Sequence, residues 1–91
     1  MKIKWSSKAL CDVVRFYDFL AFKDKAAAAR VLQSVTAAPN RLLDQERIGE
    51  KLEEFDPREV RRIIIGRYEM RYEIQESLII VLRIWHTRED R

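Results

Sequence analysis

Residues 59–91 read EVRRIIIGRYEMRYEIQESLIIVLRIWHTREDR, and this stretch decides the fold. Gly66-Arg67 and Glu76-Ser77 divide it into three runs of β-branched, aromatic and charged residues. Turns this short join antiparallel strands into hairpins. The pattern predicts strands over about Glu59–Ile65, Tyr68–Gln75 and Leu78–His86. Successive side chains in a strand point to opposite faces, so parity sorts them. In the first run, Arg62 and Ile64 oppose Arg61, Ile63 and Ile65. In the second, Tyr68, Met70, Tyr72 and Ile74 oppose Arg67, Glu69, Arg71, Glu73 and Gln75. In the third, Leu78, Ile80, Leu82, Ile84 and His86 oppose Ile79, Val81, Arg83 and Trp85. Residues 78–82 are apolar on both faces, which predicts a central position for this strand.

The cations are unevenly placed. Eight of the twelve arginines lie at or beyond Arg58, whereas all six lysines lie at or before Lys51. A sheet with one buried face can hold such arginines on its other face as an array of planar donors. Arg61, Arg71, Arg83 and Trp85 form the candidate patch, suited to an acidic protein partner or to nucleic acid. The competing reading is a solvated face in which Glu69 and Glu73 pair with Arg71, where exposed pairs contribute only about 0–1 kcal/mol each. The tyrosine stripe Tyr68, Tyr72 shares parity with Met70 and Ile74 and reads as core.

Working toward the N-terminus, residues 39–57 read as a connection. Pro39-Asn40 ends a helix, and Leu42, Leu43, Ile48, Leu52 and Phe55 pin the polar segment to the core, with a helical turn near Ile48–Glu54. Residues 25–38 are alanine-rich, favourable for a helix, with Asp24 as its cap and Ala28, Val31, Leu32 and Val35 as its apolar face. Lys8–Phe22 predicts an earlier helix capped by Ser6 or Ser7. There Leu10, Val14, Tyr17 and Ala21 recur at helical spacing, Val13, Phe16 and Leu20 widen the stripe, and Asp12, Arg15 and Asp18 face water. The small Ala26–Ala29 run suits close packing of the two helices as a hairpin, although helix propensity alone also accounts for it. Lys2–Trp5 alternates and reads as a first strand. The expected fold is α+β, in the order β-α-α-β-β-β: a helical hairpin packed on one face of a small, antiparallel-rich sheet.

Composition narrows the class. Ninety-one residues, 47% of them hydrophobic, are expected to form a single domain over 1–91. Acidic and basic residues are interspersed, and the net charge is only +3 despite 36% charged residues. Cys11 is the only cysteine, so no internal disulfide can form, and it reads as a small buried helix residue. One cysteine and one histidine argue against a zinc site, and no metal or other cofactor is expected. No apolar run approaches the roughly 18 residues of a membrane span, and Asp12, Arg15 and Asp18 interrupt any signal-peptide core. A cytoplasmic protein without membrane contact is expected.

Three segments carry a resemblance to a known family: Glu59-Val60-Arg61-Arg62, Tyr68-Glu69-Met70-Arg71-Tyr72-Glu73-Ile74, and Leu82-Arg83-Ile84-Trp85-His86-Thr87-Arg88. In this order, after a strand and a helical hairpin, they resemble the RelE/ParE toxin superfamily of bacterial type II toxin–antitoxin pairs. The resemblance covers the whole chain. It implies a RelE-like fold and a cognate antitoxin as partner. The RelE branch is similar to ribosome-dependent mRNA endoribonucleases, whereas the ParE branch inhibits DNA gyrase by binding, without nuclease chemistry.

Cleavage of RNA requires a base for the 2′-hydroxyl, cations for the phosphorane and an acid for the leaving oxygen. In the RelE type an arginine follows the first tyrosine of the third strand; here that position is Glu69. This chain also has no lysine after Lys51 and no tyrosine after Tyr72. Arg88 matches a basic residue of that branch, and Arg62 stands in for a lysine. Some ribonuclease relatives use a C-terminal histidine as acid or base, so the ribonuclease alternative rests on Arg62, Arg83, His86 and Arg88, and only it implies direct nucleic-acid binding. Parity, however, sets His86 opposite Arg83, and a His-x-Arg ending is common in the ParE branch. The resemblance therefore favours a ParE-like toxin with no catalytic residue. Its contacts with antitoxin or gyrase are assigned to Arg61, Arg71, Arg83, Trp85 and Arg88. An inactive scaffold that only binds antitoxin is the third possibility.

Overall fold

The computed structural model describes residues 1–88. The chain runs β1 (Lys2–Trp5), α1 (Ser7–Lys23), α2 (Lys25–Ala37), α3 (Pro39–Asp44), β2 (Glu50–Lys51), a 3-10 turn (Glu53–Phe55), β3 (Glu59–Ile65), β4 (Tyr68–Gln75) and β5 (Leu78–His86). The strands form one mixed sheet in the order β1-β5-β4-β3-β2. β1 runs parallel to β5, and the other pairs are antiparallel. The α1–α2 hairpin packs on one face, so the predicted α+β architecture holds.

Local chemistry sets the boundaries. The Ser6 side chain accepts from the Ala9 N–H (3.0 Å), capping α1, and donates to the Leu82 carbonyl (2.8 Å), tying the helix start to β5. Asp24 closes α1, with its N–H on the Leu20 carbonyl, and caps α2 by accepting from the Ala27 N–H at 3.1 Å. Gly66, at φ +58°, makes the β3–β4 turn in a conformation that side-chain-bearing residues rarely adopt. Ala9, Phe16, Val35, Ala38, Tyr68, Met70, Val81 and Ile84 form the main core between hairpin and sheet. Leu42, Tyr72 and Ile79 form a second cluster beneath α3.

Five details depart from expectation. Pro39 begins a helix instead of ending one, because its missing N–H is not needed at the first helical position. The connection also supplies β2, a two-residue strand that no periodicity could reveal. On α1, Asp12 is buried (4% exposed) while Leu10 and Val14 are exposed, so the inward stripe is shifted by about one position. Cys11 lies on that outer side and is exposed, not buried. Finally, the parity of β5 breaks. Arg71 pairs with Arg83 but Tyr72 with Val81, leaving Leu82 as a bulge. Ile79 and Val81 therefore share the helix face with Ile84 and His86, although their parity differs. β5 is interior, but β4 is the middle strand.

Candidate functional site

The sheet face opposite the helices holds Arg62, Arg71 and Arg83. Register aligns Arg62 of β3 with Arg71 of β4, and Arg71 with Arg83 of β5, in a single row across three strands. Like charges set directly opposite repel, and three carboxylates offset this. Glu69 lies one row away, 1% exposed, and accepts from Arg71 Nε at 2.9 Å and from Arg62 Nη1 at 3.3 Å. Glu50 of β2 takes the other side of Arg62 at 2.9 Å. Trp85, paired with Glu69 across the strands, meets both neighbouring guanidiniums, with Arg71 4.7 Å and Arg83 4.9 Å from a ring centroid. Such cation–π contacts contribute about 0.5–1 kcal/mol each at exposed sites.

Arg83 is fastened differently. β1 pairs with β5 only as far as Val81, and α1 lies against the remaining edge. There Asp12 accepts from the Ile84 N–H (2.9 Å) and from Arg83 Nε and Nη2 (2.8 and 3.1 Å), with Arg15 at 3.3 Å. Burial pushes the Asp12 carboxyl up, but the Arg83 and Ile84 hydrogen bonds outweigh it and hold the group below the usual carboxylate range. One end of the arginine row is thereby locked to the first helix.

The remaining predicted residues lie elsewhere. Arg61 shares the helix face with Ile63 and Tyr72, not the face of Arg71, and Arg62 takes its place in the row. Its guanidinium binds Glu59 (3.0 Å) and the Gly49 and Arg47 carbonyls (2.7 and 3.2 Å), fastening the connection that leads into β2. Tyr72 reinforces that connection from the core, donating to the Glu46 carbonyl (2.7 Å) and accepting from the Gly49 N–H (3.1 Å). His86 is on the helix face, edge-on to Tyr68 at 5.3 Å, and its Nδ1 accepts from the Arg88 N–H at 3.1 Å. His86 and Arg88 line a groove of about 780 Å³ between the hairpin and the end of the sheet, floored by Phe16, Leu20, Val31 and Tyr68. The four residues of the ribonuclease alternative are thus split: Arg62 and Arg83 on one face, His86 and Arg88 on the other.

Sequence reading overlooked Asp12, Glu50 and Arg62 as members of the arginine array. Glu69 and Arg71 stand two apart on one strand face, so that pairing was legible. The approach of Asp12 and Glu50 depends on packing between distant segments and left no local signal.

A helical hairpin on one face of a five-stranded mixed sheet, with an ion-paired arginine–tryptophan array on the other, defines a small α+β domain. Residues 3–91 match the family described as the ParE toxin of type II toxin-antitoxin system, parDE, and the chain belongs to this family. A solved structure described as the chromosomal ParDE TA system from P. aeruginosa shares the fold. It superposes with a TM-score of 0.78 at 21% identity, over 94% of this chain and 95% of that chain. No curated protein sequence matches. Among the described residues, no helix is long and apolar enough to cross a membrane.

Proposed function

We propose that residues 1–91 act as one toxin domain that inhibits DNA gyrase by binding it and is neutralised by a cognate antitoxin in the cytoplasm. Family membership supports the toxin part of this reading. One observation favours gyrase binding over RNA cleavage: the candidate ribonuclease residues are divided between the two sheet faces. Moreover, Glu69 occupies the position where a ribonuclease of this superfamily needs a phosphate-binding cation, and it is held there by Arg62 and Arg71. Arg71, Arg83 and Trp85, with Arg88 at the groove, are the residues we assign to antitoxin or target contact. Arg61 lies on the helix face with its donors committed to Glu59 and the β2 connection.

The test is DNA supercoiling by purified gyrase with the chain released from antitoxin. Inhibition with accumulation of linear DNA is expected, and His86→Ala should inhibit equally. Unimpaired supercoiling by a chain that still arrests growth would refute the gyrase reading, and loss of that arrest in His86→Ala would then favour mRNA cleavage.

A further inference from the structure

We infer that the outer apolar stripe of α1 joins two copies of this chain, through an antiparallel α1–α1 contact about a two-fold axis. α1 carries two apolar stripes. Ala9, Val13, Phe16 and Leu20 face the core. Leu10, Val14, Tyr17 and Ala21 recur at spacings of four, three and four, the heptad spacing of a helix–helix seam. At 3.6 residues per turn this second stripe fills an arc of about 60°, turned by roughly 110° from the core stripe. Leu10 and Val14 are 53% and 58% exposed, and Tyr17 and Ala21 are half-buried. Among the described residues, Leu10, Val14, Phe19 and Phe22 of α1 supply four of the eight large apolar side chains left exposed. Apolar side chains grouped on one element in this way, rimmed by polar groups, mark an interaction surface.

Self-complementarity chooses the occupant. A two-fold axis level with the midpoint between Val14 and Tyr17 sets Val14 beside the partner copy's Tyr17, and Leu10 beside the partner copy's Ala21. Each large side chain meets a smaller one, so the two stripes interdigitate. Arg15 and Asp18 lie on one flank of the stripe, and this axis keeps like flanks together. The same register brings Arg15 to within about 3 Å, measured along the helix, of the level of the partner copy's Asp18. Symmetry makes that pair twice. The Arg15 side chain is half exposed although one nitrogen reaches Asp12, and Asp18 is exposed with no ion pair among the described residues. A parallel pairing would instead set Arg15 against Arg15 and Asp18 against Asp18. Rim charges of this kind fix register more than they add affinity. A contact limited to one 17-residue helix per copy is small for a permanent dimer, so the expected Kd is about 10–100 µM.

The experiment is sedimentation velocity of the full chain, without other proteins, from about 1 to 300 µM. The weight-average mass should rise from that of one chain toward that of two. Val14→Glu places a carboxylate on the seam at an exposed helical position. It should keep the circular dichroism spectrum of the parent and weaken association roughly tenfold or more. Leu10→Gln, at the other exposed seam position, should do the same and serves if Val14→Glu does not fold. Asp18→Arg should also weaken association, by about threefold, because it sets two arginines against each other. Ile64→Lys, on the far sheet face, should leave the dimer intact. A chain that stays monomeric at 300 µM would overturn the inference. A dimer that survives both Val14→Glu and Leu10→Gln would overturn it too, placing the contact elsewhere. Association strengthened by Asp18→Arg would overturn the antiparallel register.

Discussion

Asp12→Asn tests whether the fastening of α1 to the β5 edge is electrostatic. The carboxylate accepts from two guanidinium nitrogens of Arg83 and from the Ile84 N–H, all within 3.1 Å, on a side chain that is almost fully buried. Asparagine keeps the volume but loses the charge, and its NH2 group would face a guanidinium or the Ile84 N–H. Breaking a fully buried pair costs about 3–5 kcal/mol. Arg83 is 35% exposed, so water screens part of this and the expected loss is about 2–3 kcal/mol. At about 4–8 °C per kcal/mol for a domain of this size, the melting temperature should fall by about 10–20 °C at pH 7. Because folding holds the Asp12 carboxyl below its unfolded value, its stabilisation is complete above that value, about 3.9, and is lost as pH falls through the folded one. The gap between parent and variant should therefore close on acidification below about pH 4. Thermal unfolding followed by circular dichroism at pH 7 and at stepped lower pH measures both effects. A fall of less than about 4 °C at pH 7, or a gap that persists unchanged into acid, would refute the reasoning.

Glu69→Ala should leave Arg62 and Arg71 facing each other across β3 and β4 without their shared acceptor. Urea unfolding should show a loss of roughly 2 kcal/mol, and Glu69→Ala/Arg71→Ala should recover part of it. Tyr72→Phe removes the acceptor of the Gly49 N–H deep under the connection, with an expected loss of about 1–3 kcal/mol. Gly49→Ala should cost a similar amount or more. Its added methyl would sit 2.6 Å from the Arg62 carbonyl and 2.7 Å from the Tyr72 hydroxyl, and a reduced urea midpoint at unchanged slope would report it.

Residues 59–86 determined three strands and their limits by themselves, because Gly66-Arg67 and Glu76-Ser77 act within a few residues of the chain. α1 and α2 were equally legible, since Ser6 and Asp24 are caps that work on the next turn, whereas α3 was hidden by the reading of Pro39 as a stop. The tertiary structure alone decided which side of α1 faces inward. Two overlapping apolar stripes were available, and the Ile84 N–H with Arg83 drew Asp12 to the protein side. It also decided the face of each β5 residue: one bulge at Leu82 reverses parity, and nothing local in LIIVLRIWH announces it. The same holds for β2, whose two residues become a strand only by pairing with Arg61 and Arg62. The arginine row was half visible. Sequence placed Arg71 and Arg83 on one face, but register across β3, β4 and β5 brought in Arg62, sent Arg61 to the other side and supplied each cation with its carboxylate. Local chemistry reaches one turn or one hairpin; strand register and edge cover join residues as far apart as Asp12 and Arg83, and only folding brings those together.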